Sequence, residues 1–174
     1  MDSTIPPSEV WMMKPSVELN DIVDGMQWQT DSIAAYLNTK TGQVVPVSDD
    51  EIIDAEFDDD SLPLTGWEAE AAEVAKAVAK GNDYIALPDR FEIDEYRIME
   101  RFASGVVGGA RSILLEAIRG SGAFRYFRRT IHELGLEQEW YSYRDGAYKQ
   151  IAEDWCRENG IAYSQPSGPV DADA

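Results

Sequence analysis

Leu19, Ile22, Val23 and Met26 recur at the three-and-four spacing of one helical face, with Asp21 and Asp24 on the other side, and predict a short amphipathic helix from Ser16 onward. The period then drops to two. Ile33, Ala35 and Leu37 alternate with Ser32, Ala34 and Tyr36, and a polar NTKTG stretch separates them from Val44, Val45 and Val47. This pattern predicts an antiparallel hairpin over residues 33 to 47, with Gly42 supplying the positive φ of the turn. Pro46 has no amide to donate, so the second strand is expected at a sheet edge. A hairpin alone is not stable in water, and DYIAL, closed by Pro88, is read as its third strand.

The helical period returns after residue 64. Thr65 and Glu68 make a capping-box pair, Trp67, Ala71, Val74, Ala75 and Val78 mark one face, and Lys76, Lys80 and Gly81 mark the end; a helix over 67 to 80 capped by Thr65 follows. Beyond Pro88, Tyr96, Met99 and Ala103 share a face with Phe102 at its margin. Helices are then predicted from Ala110 to Arg119, from the GSG break at Gly120 to Gly122 through Leu134, and from Glu137 to Asn159. In the second of these, Phe124, Phe127, Ile131 and Leu134 form the expected apolar stripe. In the third, Trp140, Ala147, Tyr148, Ile151 and Trp155 do, and Asn159, Gly160 and Ile161 read as a Schellman stop.

The flanks differ in composition. Residues 1 to 16, with Pro6, Pro7 and Pro15, read as a flexible arm whose Trp11, Met12 and Met13 dock back on the domain, and residues 164 to 174 read as a disordered tail. Together these elements predict one α+β domain over residues 17 to 163. In it a small antiparallel sheet packs against a predominantly helical carboxy-terminal half.

Charge changes this picture in one place. The 174 residues carry 15 basic and 33 acidic side chains, a net charge of −18. Residues 1 to 83 hold 4 basic and 18 acidic residues, whereas residues 84 to 163 hold 11 and 13, so the acidity sits in the amino-terminal half. Eight acids fall between Asp49 and Asp60, and the expectation there is an extended, self-repelling acidic linker that attracts a basic partner. Its acids at 54, 56, 58 and 60 resemble a calcium loop, yet the sixth and twelfth positions are Asp59 and Thr65 where glycine and glutamate are required, and no metal site is read.

Chemistry-bearing motifs are sparse. One cysteine, Cys156, excludes an internal disulfide, and one histidine, His132, excludes the multi-histidine metal centres. Cys156 is expected to be buried and inert. GGARS at Gly108 to Ser112 lacks the lysine and spacing of a phosphate loop, and no nucleophile stands beside a base, so no catalytic residue and no cofactor are assigned. The binding candidates are two. Arg125, Arg128, Arg129 and His132 fall on the helix side opposite Phe127 and, by the stripe above, opposite Phe124; such a face suits phosphate or an acidic partner unless neighbouring acids such as Glu133 and Glu137 neutralise it. Trp140, Tyr141 and Arg144 lie in WYSYRD, a composition shared by interfaces and cores.

The segments YLNTKTGQVV, LPDRFEIDEYRIMERF and GSGAFRYFRRTIHELGLEQEWYSYRDGAYKQIAEDWCRENGI, in this order over residues 17 to 161, resemble uncharacterised protein family 0158. The resemblance implies a bacterial, intracellular protein and brings no activity and no site residues. MDSTIPPSEV lacks the basic leader and apolar run of a secretory signal, and no stretch has the roughly 18 apolar residues of a spanning helix, so a cytoplasmic protein away from membranes is expected. The leading functional reading is a non-enzymatic protein-binding or regulatory module, using its acidic half and exposed aromatics on a partner that is itself basic. The second is a nucleic-acid-associated protein using the arginine face, and the third an enzyme whose carboxylates assemble from distant segments.

Overall fold

The computed structural model describes residues 16–57, 66–81 and 83–165. The proline-containing arm with Trp11, Met12 and Met13, the capping Thr65, the acids Asp58, Asp59 and Asp60, and the tail beyond Gln165 lie outside the described residues. The fold is α+β with a helical carboxy-terminal half. The described residues group into two compact units, one of the chain up to Asp89 together with the stretch from Ala152 onward, and one of Arg90–Ile151. No described helix is long and apolar enough to cross a membrane.

The first unit opens with β1 (Val17–Glu18), which pairs in parallel with β5 (Tyr163–Ser164), so the predicted carboxy-terminal tail starts as a strand rather than as free chain. Next comes α1 (Leu19–Trp28), whose Leu19, Ile22, Val23 and Met26 are all buried, as their spacing requires. It packs on the hairpin of β2 (Ile33–Asn38) and β3 (Val44–Ser48). The turn is built as expected: Gly42 has φ 76°, its N–H donates to the Asn38 carbonyl at 2.8 Å, and the Asn38 side chain accepts from the N–H groups of Lys40 and Thr41. β4 (Tyr84–Ala86) pairs antiparallel with β2, giving the order β3-β2-β4. Pro46 therefore lies in an edge strand, opposite Ala35. Ala35 and Leu37 point into the core with Val47 and Leu87.

The acidic run departs from the predicted linker. Asp49–Phe57 is a helix, α2. Ser48 and Glu51 form a capping box at its start: the Glu51 carboxylate accepts from the Ser48 N–H at 2.8 Å and from its hydroxyl at 2.9 Å, and the Ser48 Oγ accepts from the Glu51 N–H at 3.3 Å. Asp49, Asp50 and Glu51 then occupy the first turn, where the helix dipole favours negative charge. The repulsion that would extend a free acidic strand is offset by this placement. α2 buries none of its side chains, and Phe57 is 78% exposed. In α3 (Trp67–Ala79) the helix and its glycine stop at Gly81, φ 67°, match expectation. Gly66 holds the cap position with no side-chain hydrogen bond, and Trp67 is 75% exposed, leaving Ala75 as the buried residue of the face.

The second unit contains α4 (Arg90–Ile93), α5 (Glu95–Gly105), α6 (Gly109–Ala117), α7 (Ala123–Leu134) and most of α8 (Glu137–Glu158), whose last turns belong to the first unit. α5 starts at Asp94, which adopts the left-handed conformation and accepts from the Arg97 N–H. Its buried face is Ile98, Met99, Phe102 and Ala103, while Tyr96 is exposed. Gly120 and Gly122, at φ 78° and 81°, break the chain between α6 and α7 as the GSG motif predicts. Phe102, Phe127 and Trp140 meet edge to face, with centroids 6.3, 5.3 and 4.8 Å apart for the three pairs, and Tyr143 joins Phe102 at 5.4 Å.

Two predicted apolar stripes hold in part: Phe127 and Ile131 in α7 and Trp140 and Tyr148 in α8 are buried, and each stripe shifts at other positions. In α7 the buried ridge is Ala123, Phe127 and Ile131, a strict four-residue row, and Phe124 is 52% exposed. In α8 the buried row is Tyr148, Ala152 and Cys156, with Ile151 and Trp155 half-buried beside it. Both alternatives fit a 3.6-residue period, and neighbouring elements select between them. The end of α8 is the predicted Schellman motif: the Ile161 N–H donates to the Cys156 carbonyl at 2.8 Å and the Gly160 N–H to that of Arg157 at 3.2 Å.

Candidate interaction surface

Helix α7 sets the site because its two long faces have opposite fates. With Phe127 and Ile131 inward, Phe124, Arg125, Arg128, Arg129 and His132 fall together on the outside and line a shallow groove of about 490 Å³. Phe124 thus belongs with the arginines, a correction to its placement on the opposite, core side. The helix begins at Gly122 in the left-handed conformation, and a Cβ there would stand 3.1 Å from the Tyr126 ring, so glycine lets that ring lie against the chain. Arg125 in turn stacks over Tyr126 at 5.2 Å.

The local acids neutralise only part of this face. Glu133 accepts from Arg129 Nε at 2.7 Å, one turn away, and Glu137 meets His132 Nδ1 at 2.5 Å across the Gly135 turn. The Glu137 carboxyl is held below the usual range, first by its own backbone N–H and then by His132. Among the described residues, Arg125 and Arg128 have no ion-pair partner. In a chain of net charge −18 these are two uncompensated guanidinium groups one helical turn apart beside an exposed ring.

The WYSYRD candidates are scattered. Trp140 is 7% exposed in the aromatic core, which removes it from any binding surface. Arg144 donates from Nε to Glu95 at 2.8 Å and from its terminal nitrogen to the Tyr148 hydroxyl at 3.1 Å, and it stacks on the Tyr148 ring at 4.4 Å. It is a cross-link between α5 and α8. Tyr141 is exposed, without the arginine as a free neighbour.

Cys156 is fully buried, and burial together with the Glu153 charge pushes its thiol up to about 11. At pH 8 roughly one molecule in a thousand would carry the thiolate. A thiol reagent is therefore expected to leave the folded protein unlabelled and to react stoichiometrically once denaturant is added; equal labelling rates in both states would contradict the burial. Because the folded state holds this proton more tightly than the unfolded one, the linked contribution to stability falls as pH rises from about 9 to about 11. No three His, Cys, Asp or Glu side chains among the described residues converge as a metal site. No family model, no curated protein and no solved structure matches the chain.

Proposed function

We propose that the protein is a non-enzymatic binding module of the bacterial cytosol that receives an acidic segment of a partner protein on the outer face of α7. The observation that carries this is the pair of unpaired guanidinium groups, Arg125 and Arg128, beside the half-exposed Phe124. Arginine presents fixed donors that take a carboxylate in bidentate fashion, and the adjacent ring gives an apolar neighbour of that carboxylate a surface to cover. Along the helix, Arg125 and Arg128 are about 4.5 Å apart and Arg125 and Arg129 about 6 Å. This is the spacing of carboxylates three or four residues apart on a partner helix.

A short segment is favoured over a nucleic acid on charge. The net −18 repels any polyanion, and the repulsion accumulates along a long chain of phosphates. A segment with three or four carboxylates feels little of it once salt reduces the Debye length to about 8 Å. Membership of uncharacterised protein family 0158 is part of the same proposal, supported by its three ordered motifs alone. The partner that fits this face is acidic and drawn to α7, whereas the acidic half of the sequence taken alone suggests a basic one.

Fluorescence titration with a short glutamate-rich peptide and with a single-stranded oligonucleotide tests the reading. The peptide is expected to bind at about 0.15 M salt and to lose at least about tenfold in affinity in the Arg125→Gln/Arg128→Gln variant. Tighter binding of the oligonucleotide, lost in the same variant, would replace this reading by the nucleic-acid one. An affinity that ignores the two arginines would remove both.

A further inference from the structure

The arginine face has a neighbour. On the other side of α7, between it and α6, runs a second groove of about 760 Å³, floored by Ile113, Ala117, Tyr126 and Thr130. Ile113 is 52% exposed and Tyr126 is exposed as well, so apolar surface faces outward along the groove. Its rim is charged but internally satisfied: Arg119 pairs with Glu116 at 3.1 Å and Arg129 with Glu133 at 2.7 Å. Arg129 lines both grooves, which makes them one continuous surface with an apolar strip on one side of α7 and uncompensated cations on the other.

We infer that the occupant of this composite surface is an amphipathic helix of a partner protein, its apolar stripe seated between α6 and α7 and its acidic stripe on Arg125 and Arg128. The inference rests on the functional reading above and adds the partner's secondary structure and orientation. Three features point to a helix. The surface offers an apolar strip parallel to a charged one, which is what a helix with leucine-like anchors at i, i+4 and i+7 and glutamates on the adjoining face presents. The rim pairs leave no net charge to repel or to attract at the apolar strip, so the charge complementarity is confined to Arg125 and Arg128. The Tyr126 ring belongs to the apolar strip, and Arg129 stands between it and the cations; the ring has a fixed seat. It is held against Gly122 on one side and under Arg125 on the other, so its position is set before any partner arrives.

The test uses the full chain and three labelled peptides: a helix-forming peptide of about five turns with leucine and glutamate stripes, a scramble of it, and the short glutamate-rich peptide. The striped peptide is expected to bind most tightly and to gain helical circular dichroism on binding. Ile113→Glu, a change at an exposed position that should not disturb folding, is expected to weaken it at least about tenfold while leaving the glutamate-rich peptide unaffected. The double arginine variant should weaken both. If the scramble binds as well as the striped peptide, or if Ile113→Glu has no effect while the arginine variant still does, the helix inference fails and the acidic-segment reading stands. If neither peptide responds to the arginines, both fail together.

Discussion

Replacing Phe127 with alanine is expected to lower the stability of the helical unit by about 3 to 5 kcal/mol, and replacing Phe124 with alanine to leave it within about 0.5 kcal/mol of the parent. The two phenylalanines are three positions apart on α7, and composition gives no reason to treat them differently. Phe127 is fully buried and meets both Phe102 and Trp140 edge to face, so its removal deletes a large apolar side chain, two ring contacts and the support of the Trp140 indole. The cavity left in a region of three packed rings cannot collapse without moving helices. Phe124 has no such neighbours to lose. Urea unfolding followed by tryptophan fluorescence measures both, and equal losses would mean that the α7 stripe runs through Phe124 after all.

At Gly25 the expected result is graded by size. The glycine lies on the buried side of α1, and a Cβ built there would stand 2.7 Å from both Leu87 Cδ2 and Val44 Cγ1. Neither side chain can yield freely, since Leu87 is buried and Val44 is held in the edge strand beside it. Alanine recovers about 1 kcal/mol of helix propensity relative to glycine and sets it against an overpacking cost of about 1 to 3 kcal/mol, for a net loss of about 0 to 2 kcal/mol. Valine adds two more methyl groups to the same space with less propensity to recover, and is expected to lose about 3 kcal/mol or more. Thermal unfolding of the two variants should therefore rank parent, alanine, valine. A valine variant as stable as the parent would show that α1 rides further from the hairpin than the 2.7 Å approach implies.

Much of the local structure was legible because its causes are local. The Gly42 turn, the stops at Gly81 and Gly160 and the break at Gly120 to Gly122 each need a positive φ that glycine supplies at no steric cost, so the residue marks the geometry. The Ser48–Glu51 capping box has an equally local cause: its S-x-x-E signature stands at the head of the acidic run and marks a helix start where charge density alone predicts an extended linker. The candidate surface was half legible. Spacing places the arginines on one side of α7 and Trp140 on the buried stripe of α8, as found, whereas Phe124 stands with the arginines rather than opposite them and Arg144 is tied to Glu95.

By itself, the sequence determined the α+β class, the hairpin and its edge strand, the order of the helices and the concentration of acid in the first half. Each of these follows from period, backbone chemistry or a count of charges, and none depends on what lies across the core. Only the tertiary structure decided which positions at the margins of the α7 and α8 stripes are buried, and which arginines lack a partner. A 3.6-residue period leaves neighbouring positions about 100° apart and a buried arc at least that wide, so two registers satisfy it equally. The rings of Phe102 and Trp140 choose Phe127, and that choice turns Phe124 outward to stand with Arg125 and Arg128.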